Sequence, residues 1–291
     1  MSAFCSQGSA AISIGSPTTQ WKAIVYANPS STDPINDHQT GISEGDIVGN
    51  ASHAAYYTIF DDGGTIGNLT DGEIGFRVRV AADSNPPGLN VVVWVGLDVN
   101  VDGKIDLFAG AFEGATIGFY PAGNGANISP STTSIVSSSP YSEVTVTALN
   151  FDYSPVTLTN DPAATNTNLD GGSGGGTNHT DHFASMKFDF ATLVSAVNSL
   201  TLPGVGSFNQ NSPLQYVVAT SNQKNALNQD ISGINGGTSS SVTFASLGAF
   251  APVSSASGAP MAVPEPSYLI LCHGMIFALA FRRRRGIPLQ G

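Results

Sequence analysis

The sequence predicts an all-β protein: an antiparallel β-sandwich of jelly-roll-like character with one short helix. Three observations carry that expectation. Short apolar runs alternate with polar residues and are bounded by Gly, Pro, Asn, Asp and Ser, as half-buried strands are. Charged residues make up only 11% of the chain, against roughly 25% in an average soluble domain, while the apolar share of 41% is enough to build a core. No repeat of fixed period runs through the 291 residues, which disfavours solenoids and propellers.

Taken in order, strands are expected over residues 22–27, 54–60, 75–80, 91–97, 105–112, 116–120, 143–149, 183–188, 216–220 and 242–247. In the run Phe76-Arg77-Val78-Arg79-Val80 the alternation points Phe76, Val78 and Val80 inward and leaves both arginines on a solvated or ligand-facing side. Val91-Val92-Val93-Trp94-Val95 is apolar on both faces, which suits a central strand. The helix is read from Phe190, Leu193, Val194, Val197 and Leu200 at helical spacing, with Asp189 as its N-cap and Pro203-Gly204 ending it. The body is expected over residues 1–251, with a flexible Gly-rich loop at 171–176. A Pro/Ser/Ala-rich linker is expected at 252–262.

Charge narrows the function classes. The formal net charge is −11, and four of the ten basic residues are the run Arg282-Arg283-Arg284-Arg285, so the body is still more acidic. Such a surface repels phosphate, which excludes a nucleic-acid binder. Two cysteines, Cys5 and Cys272, are too few for a disulfide framework, and the abundance of Ser, Thr, Asn and Gly suits an exported chain.

The best candidate for chemistry is Asp98-Val99-Asn100-Val101-Asp102-Gly103-Lys104-Ile105-Asp106. Asp98, Asn100, Asp102 and Asp106 place oxygens as a calcium loop does, Gly103 permits the sharp turn, and Lys104 offers its main-chain carbonyl. Ala109 stands where an EF-hand has its bidentate Glu, and both flanks read as strands, so the expected object is a Ca²⁺-stabilised β-hairpin. A metal-free Asp/Asn/Gly turn is the alternative.

Asp61-Asp62-Gly63-Gly64 and Asp71-Gly72 read as simple turns. His179, Asp181 and His182 offer two imidazoles and a carboxylate but lack a further ligand cluster for zinc. No nucleophile elbow, HExxH or Cys/His pairing is present, so no catalytic residue is nominated. Glu44, Glu73, Glu113 and Glu143 read as solvated surface groups, although a carboxylate pair for glycoside hydrolysis is a tertiary feature that stays open. Trp21, Trp94, Tyr56, Tyr57, Tyr120 and Tyr216 are read as core, with a sugar-binding platform as the alternative.

The last segment, 263–286, has three parts: Val263-Pro264-Glu265-Pro266-Ser267, an apolar helix expected over 268–281, and the arginine run. Fourteen helical residues span about 21 Å, short of the roughly 30 Å hydrocarbon core, so the helix reads as a transient anchor. The arginines would hold the C-terminus on the cytoplasmic side.

This tail resembles a PEP-CTERM sorting signal. The resemblance implies an exosortase as processing partner, with Pro264, Glu265 and Pro266 as recognition element and Arg282 to Arg285 as stop. It further implies transient insertion in the inner membrane, then delivery to the cell surface or an exopolysaccharide matrix. Members of that family begin with a signal peptide. Residues 1–15 have neither a basic n-region nor an apolar h-region, so most of a leader is expected further upstream, with Ser2-Ala3-Phe4-Cys5 near its end and Cys5 as a lipoprotein acceptor the alternative.

Residues 216–237 are similar to late regions of other proteins with this tail. With the strand-loop-strand at 96–108 they faintly resemble CBM9-like or DOMON-like sandwiches, at fold level only. The expected function is therefore a non-enzymatic exported surface or matrix protein. The alternatives are a carbohydrate-binding module for exopolysaccharide and a secreted glycan hydrolase.

Overall fold

The computed structural model describes residues 11–26, 33–39, 42–50, 52–81, 88–163, 167–169, 180–203, 205–259 and 261. In chain order the strands are β1 (Lys22–Ile24), β2 (Tyr56–Asp61), β3 (Glu73–Val80), β4 (Val92–Asp98), β5 (Leu107–Phe112), β6 (Thr116–Pro121), β7 (Ser142–Thr145), β8 (Phe151–Pro155), β9 (His182–Asp189), β10 (Pro213–Ser221), β11 (Asp230–Ile231) and β12 (Ser254–Ser255). Among the described residues two α-helices join them, α1 (Phe190–Ser199) and α2 (Phe244–Leu247).

The strands form two antiparallel sheets packed as a sandwich. One has five strands in the order β1-β2-β3-β9-β8. The other has seven, in the order β11-β10-β4-β5-β6-β7, with β12 also paired to β10. Alternation along β3 sends Phe76, Val78 and Val80 into the space between the sheets, as expected. There they meet Val93, Val95 and Leu97 of β4, Met186 and Phe188 of β9, and Tyr216 and Val218 of β10. Strand β4 is central and buried along its whole length, between β10 and β5.

Both outer faces are covered as well. On the seven-stranded sheet, Val92, Trp94, Phe108, Phe112 and Tyr120 lie under a cover that includes Ala126, Ile135, Leu227 and Phe244. On the five-stranded sheet, Tyr57 and Phe183 are covered by Ile14, Trp21, Ala54 and Val156. That cover overturns the expectation for the arginines: Arg77 is 1% exposed and Arg79 not at all. Alternation correctly places them on the outer face, but a sheet face is solvated only where no chain crosses it.

Other elements differ from expectation for local reasons. Residues 244–247, expected as strand, form α2, because the Thr243 hydroxyl accepts from the Ser246 amide and Gly248 ends the turn in the left-handed region. Strand β7 stops at Thr145, and 151–155 crosses to the other sheet as edge strand β8, with Phe151 opposite Met186. Asp189 sits at the N-cap of α1 but makes no side-chain cap; it is paired with Glu73 as the last residue of β9, and the Phe190 amide donates instead to Gly72. The Pro/Ser/Ala stretch expected as linker contributes β12, with Ala256 buried.

The expected sorting segment at 263–286, the Gly-rich loop at 171–176, both cysteines and His179 lie outside the described residues. Among the described residues no helix is long and apolar enough to cross a membrane.

Candidate metal centre

The 98–106 loop joins β4 to β5 as a hairpin, with Leu97 opposite Leu107. Its acidic oxygens are met by backbone amides. Asp98 accepts from the Asp102 and Gly103 amides at 3.2 and 2.8 Å, Asn100 from Asp102 at 3.2 Å, and Asp106 from Val99 at 2.9 Å. Gly103 takes a φ of 80°, which an L side chain rarely adopts. Lys104 reaches Asp102 at 3.4 Å, in a pair too exposed to contribute much. Burial, then the charges of Asp98 and Asp102, push the Asp106 carboxyl up to about 6, and burial also raises Asp98. Asp98, Asp102 and Asp106 therefore share one hairpin whose side-chain oxygens are met by backbone amides.

The remaining candidates resolve individually. Asp61 and Asp62 accept from the Gly63 and Gly64 amides, the hydrogen bonds of simple turns. Asp181 is buried and paired with Arg79 at 2.7 Å, while His182 Nδ1 lies 2.9 Å from the Thr180 carbonyl oxygen. Trp21, Trp94, Tyr56, Tyr57, Tyr120 and Tyr216 are all buried core residues. Glu44, read as a surface group, is fully buried and accepts from Asn90 Nδ2 at 3.0 Å. Glu73 is half-buried and paired with Lys187 at 2.7 Å, and Glu143 accepts from the Tyr120 hydroxyl at 2.6 Å.

A second acidic cluster forms among residues far apart in the chain. Asp33, Asp37 and Asp230 each offer a carboxylate oxygen, and the three atoms lie within 4.8 Å of one another, so this triad is placed to hold a metal ion. Asp230 comes from β11, at the edge of the seven-stranded sheet. Asp33 bridges to Gly49, and the 47–50 stretch in turn runs along the end of β3, where Ile47 pairs with Val80. The triad thus lies at a seam joining the two sheets.

Backbone amides fix each carboxylate. Ile47 and Ile231 donate to Asp230, each at 2.7 Å, and Gly236 donates to Asp37 at 2.6 Å. The Gly233 amide donates to Asp33 Oδ1. A fourth carboxylate, Asp46, accepts from the Asn36, Asp37 and His38 amides and sits 3.1 Å from His38 Nδ1, which shapes the turn that carries Asp37. Burial raises Asp33 and Asp230 well above the usual carboxylate range, and the neighbouring acids raise them further. Asp37, less buried, is pushed up to about 6, chiefly by burial.

Sequence reasoning missed the triad because Asp33 and Asp230 stand almost 200 positions apart, and neither belongs to a spaced motif. The local signs were an Asp at each end of 33–37 and the Gly-rich turn after Asp230. Compared with protein-family models, curated proteins and solved structures, the chain matches none, so its fold and its site stand on its own residues alone.

Proposed function

We propose that this chain is a non-enzymatic exported protein of the cell surface or exopolysaccharide matrix, sorted and cleaved through its C-terminal segment by an exosortase. The observation that carries the reading is the tripartite tail: Pro264-Glu265-Pro266, a short apolar run, and Arg282 to Arg285, in that order. An apolar helix of about 21 Å holds weakly in lipid, and four guanidinium groups resist crossing it, so the tail suits a transient stop during export.

The body supports a structural role. Most of its described aromatic side chains are spent on three packed layers, Arg79 is ion-paired inside the fold, and Arg77 is hydrogen-bonded there. A groove of about 450 Å³ beside α1 is lined by Tyr141 with serine, threonine and alanine, which supply no acid–base pair. The 98–106 hairpin belongs to the same reading, as a calcium loop that adds folding free energy outside the cell by mass action. A carbohydrate-binding module for exopolysaccharide is the second reading, and binding to exopolysaccharide would establish it.

The test is expression in a bacterium with and without an exosortase, followed by mass spectrometry of the recovered chain. Cleavage ahead of residue 268 and release to the surface are expected only with the enzyme, and Glu265→Ala should block both. A chain that keeps Arg282 to Arg285 and stays in the cytosol under both conditions would overturn the proposal.

A further inference from the structure

We propose that Asp33, Asp37 and Asp230 together bind one calcium ion at the seam of the sandwich, and that the ion fastens the stretch 33–37 to the turn at 230–236. The geometry fits a shared cation. Calcium–oxygen bonds run about 2.3–2.6 Å, so two ligands of one ion stand up to about 5 Å apart. The three oxygens lie within 4.8 Å of one another. An all-oxygen donor set selects a hard cation rather than zinc or copper.

A separate observation points to a ligand. Asp33 is 3% exposed, and its Oδ2 has no hydrogen-bond partner among the described residues, although Oδ1 is held by Gly233. A buried carboxylate oxygen left without a partner is costly, because its hydration has been removed and nothing replaces it. No lysine or arginine among the described residues forms an ion pair with any member of the triad. The backbone amides therefore hold three acids face to face, with no lysine or arginine of the described residues between them. A divalent ion supplies the missing charge and accepts the free oxygen.

Calcium suits the site better than magnesium. Magnesium dehydrates reluctantly and demands near-ideal octahedral geometry, whereas calcium takes irregular sets of carboxylates, carbonyls and water. Asp33 and Asp230 are buried, which limits room for a hydrated ion, while half-buried Asp37 gives the ion a way in. Asp46 is a positioning residue: its oxygens hold the amides of 36–38, so the turn presents Asp37 to the other two. This inference is independent of the tail and of the 98–106 hairpin.

The test uses the full chain, stripped with EDTA and titrated with CaCl2 by calorimetry and by thermal melting. The wild type should bind calcium and gain several degrees in melting temperature at saturation. Asp37→Asn should bind one equivalent fewer, or bind that equivalent at least tenfold more weakly, with a smaller rise in melting temperature. Asp37 is the half-buried member, so this variant keeps the fold where Asp33→Asn endangers it, and circular dichroism checks that it does. The double variant Asp98→Asn/Asp102→Asn should keep the equivalent that Asp37→Asn loses. The proposal fails if the wild type binds no calcium at millimolar CaCl2, or if Asp37→Asn matches it in stoichiometry and affinity. It also fails if the double variant loses all binding.

Discussion

Arg79 donates through Nε to Asp181 Oδ2 at 2.7 Å, and neither side chain reaches solvent. The same guanidinium donates to Asp161 at 3.1 Å, and Asp161 also accepts from the Thr18 hydroxyl and lies 3.2 Å from His53 Nδ1. The Leu169 amide completes the Asp181 carboxylate. This network lies on the outer face of the five-stranded sheet and ties it to the chain that covers it. Asp181→Ala leaves a buried guanidinium short of one partner, and removing one partner of a buried ion pair costs about 3–5 kcal/mol. Urea unfolding measures the loss, and an unchanged midpoint would refute it.

Arg77 is held differently. Its guanidinium lies 4.1 Å from the Trp21 ring centre and donates to the Ile14 and Ser16 carbonyls and to the Ser185 hydroxyl. Burial lowers its pKa to about 10, yet it stays charged at neutral pH. Arg77→Lys keeps the charge but loses the planar fork, leaving at least one buried carbonyl unmet. We expect a loss of about 1–3 kcal/mol in chemical denaturation, the cost of one unsatisfied buried polar group.

Gly110 faces Trp94 across the β4–β5 ladder, and a Cβ at that position would stand 2.4 Å from the indole ring. The ring has no room to retreat, because Phe108, Phe112 and Tyr120 surround it with centroids 5.0–5.7 Å away. Gly110→Ala should cost about 1–3 kcal/mol through overpacking. A melting temperature equal to that of the wild type would show that the layer is looser than it looks.

Asp106 gives a pH signature. Its carboxyl titrates near 6 in the folded chain against an ordinary value of 3.8, so the folded state binds the proton more tightly. Stability of the EDTA-treated protein should therefore fall as pH rises from about 4 to about 6, where the folded chain holds more protons than the unfolded one. Asp106→Asn should flatten part of that slope, and Asp98, Asp37, Asp33 and Asp230, also raised, should keep the rest of it. Where the hairpin binds calcium, about 1 mM CaCl2, of the order that extracellular calcium modules need, should reduce the slope in an Asp37→Asn background, which weakens the triad's own site, and adding Asp106→Asn should remove that effect. Thermal melts across the pH range provide the measurement.

Much of the fold was legible in local pattern. Alternation placed Phe76, Val78 and Val80 in the core, and the unbroken apolar run around Trp94 marked a central strand. Helix α1 follows the spacing of its apolar residues, with Phe190, Leu193, Val194 and Val197 buried. The misreadings were also local. Thr243 and Gly248 bracket a four-residue helix too short for periodicity to reveal, and edge strand β8 has only two apolar residues to announce it.

By itself the sequence determined the strand alternation, the acidic balance, the 98–106 hairpin and the tail motif, because each depends on residues within a few positions of one another. Tertiary structure alone decided what covers each sheet. A strand's own pattern says which side a residue faces but not whether another segment crosses that side, so Arg77 and Arg79 became buried anchors beneath residues 14–21. The triad was decided in the same way: Asp33, Asp37 and Asp230 acquire their shared chemistry only when the seam between the sheets brings their carboxylates together.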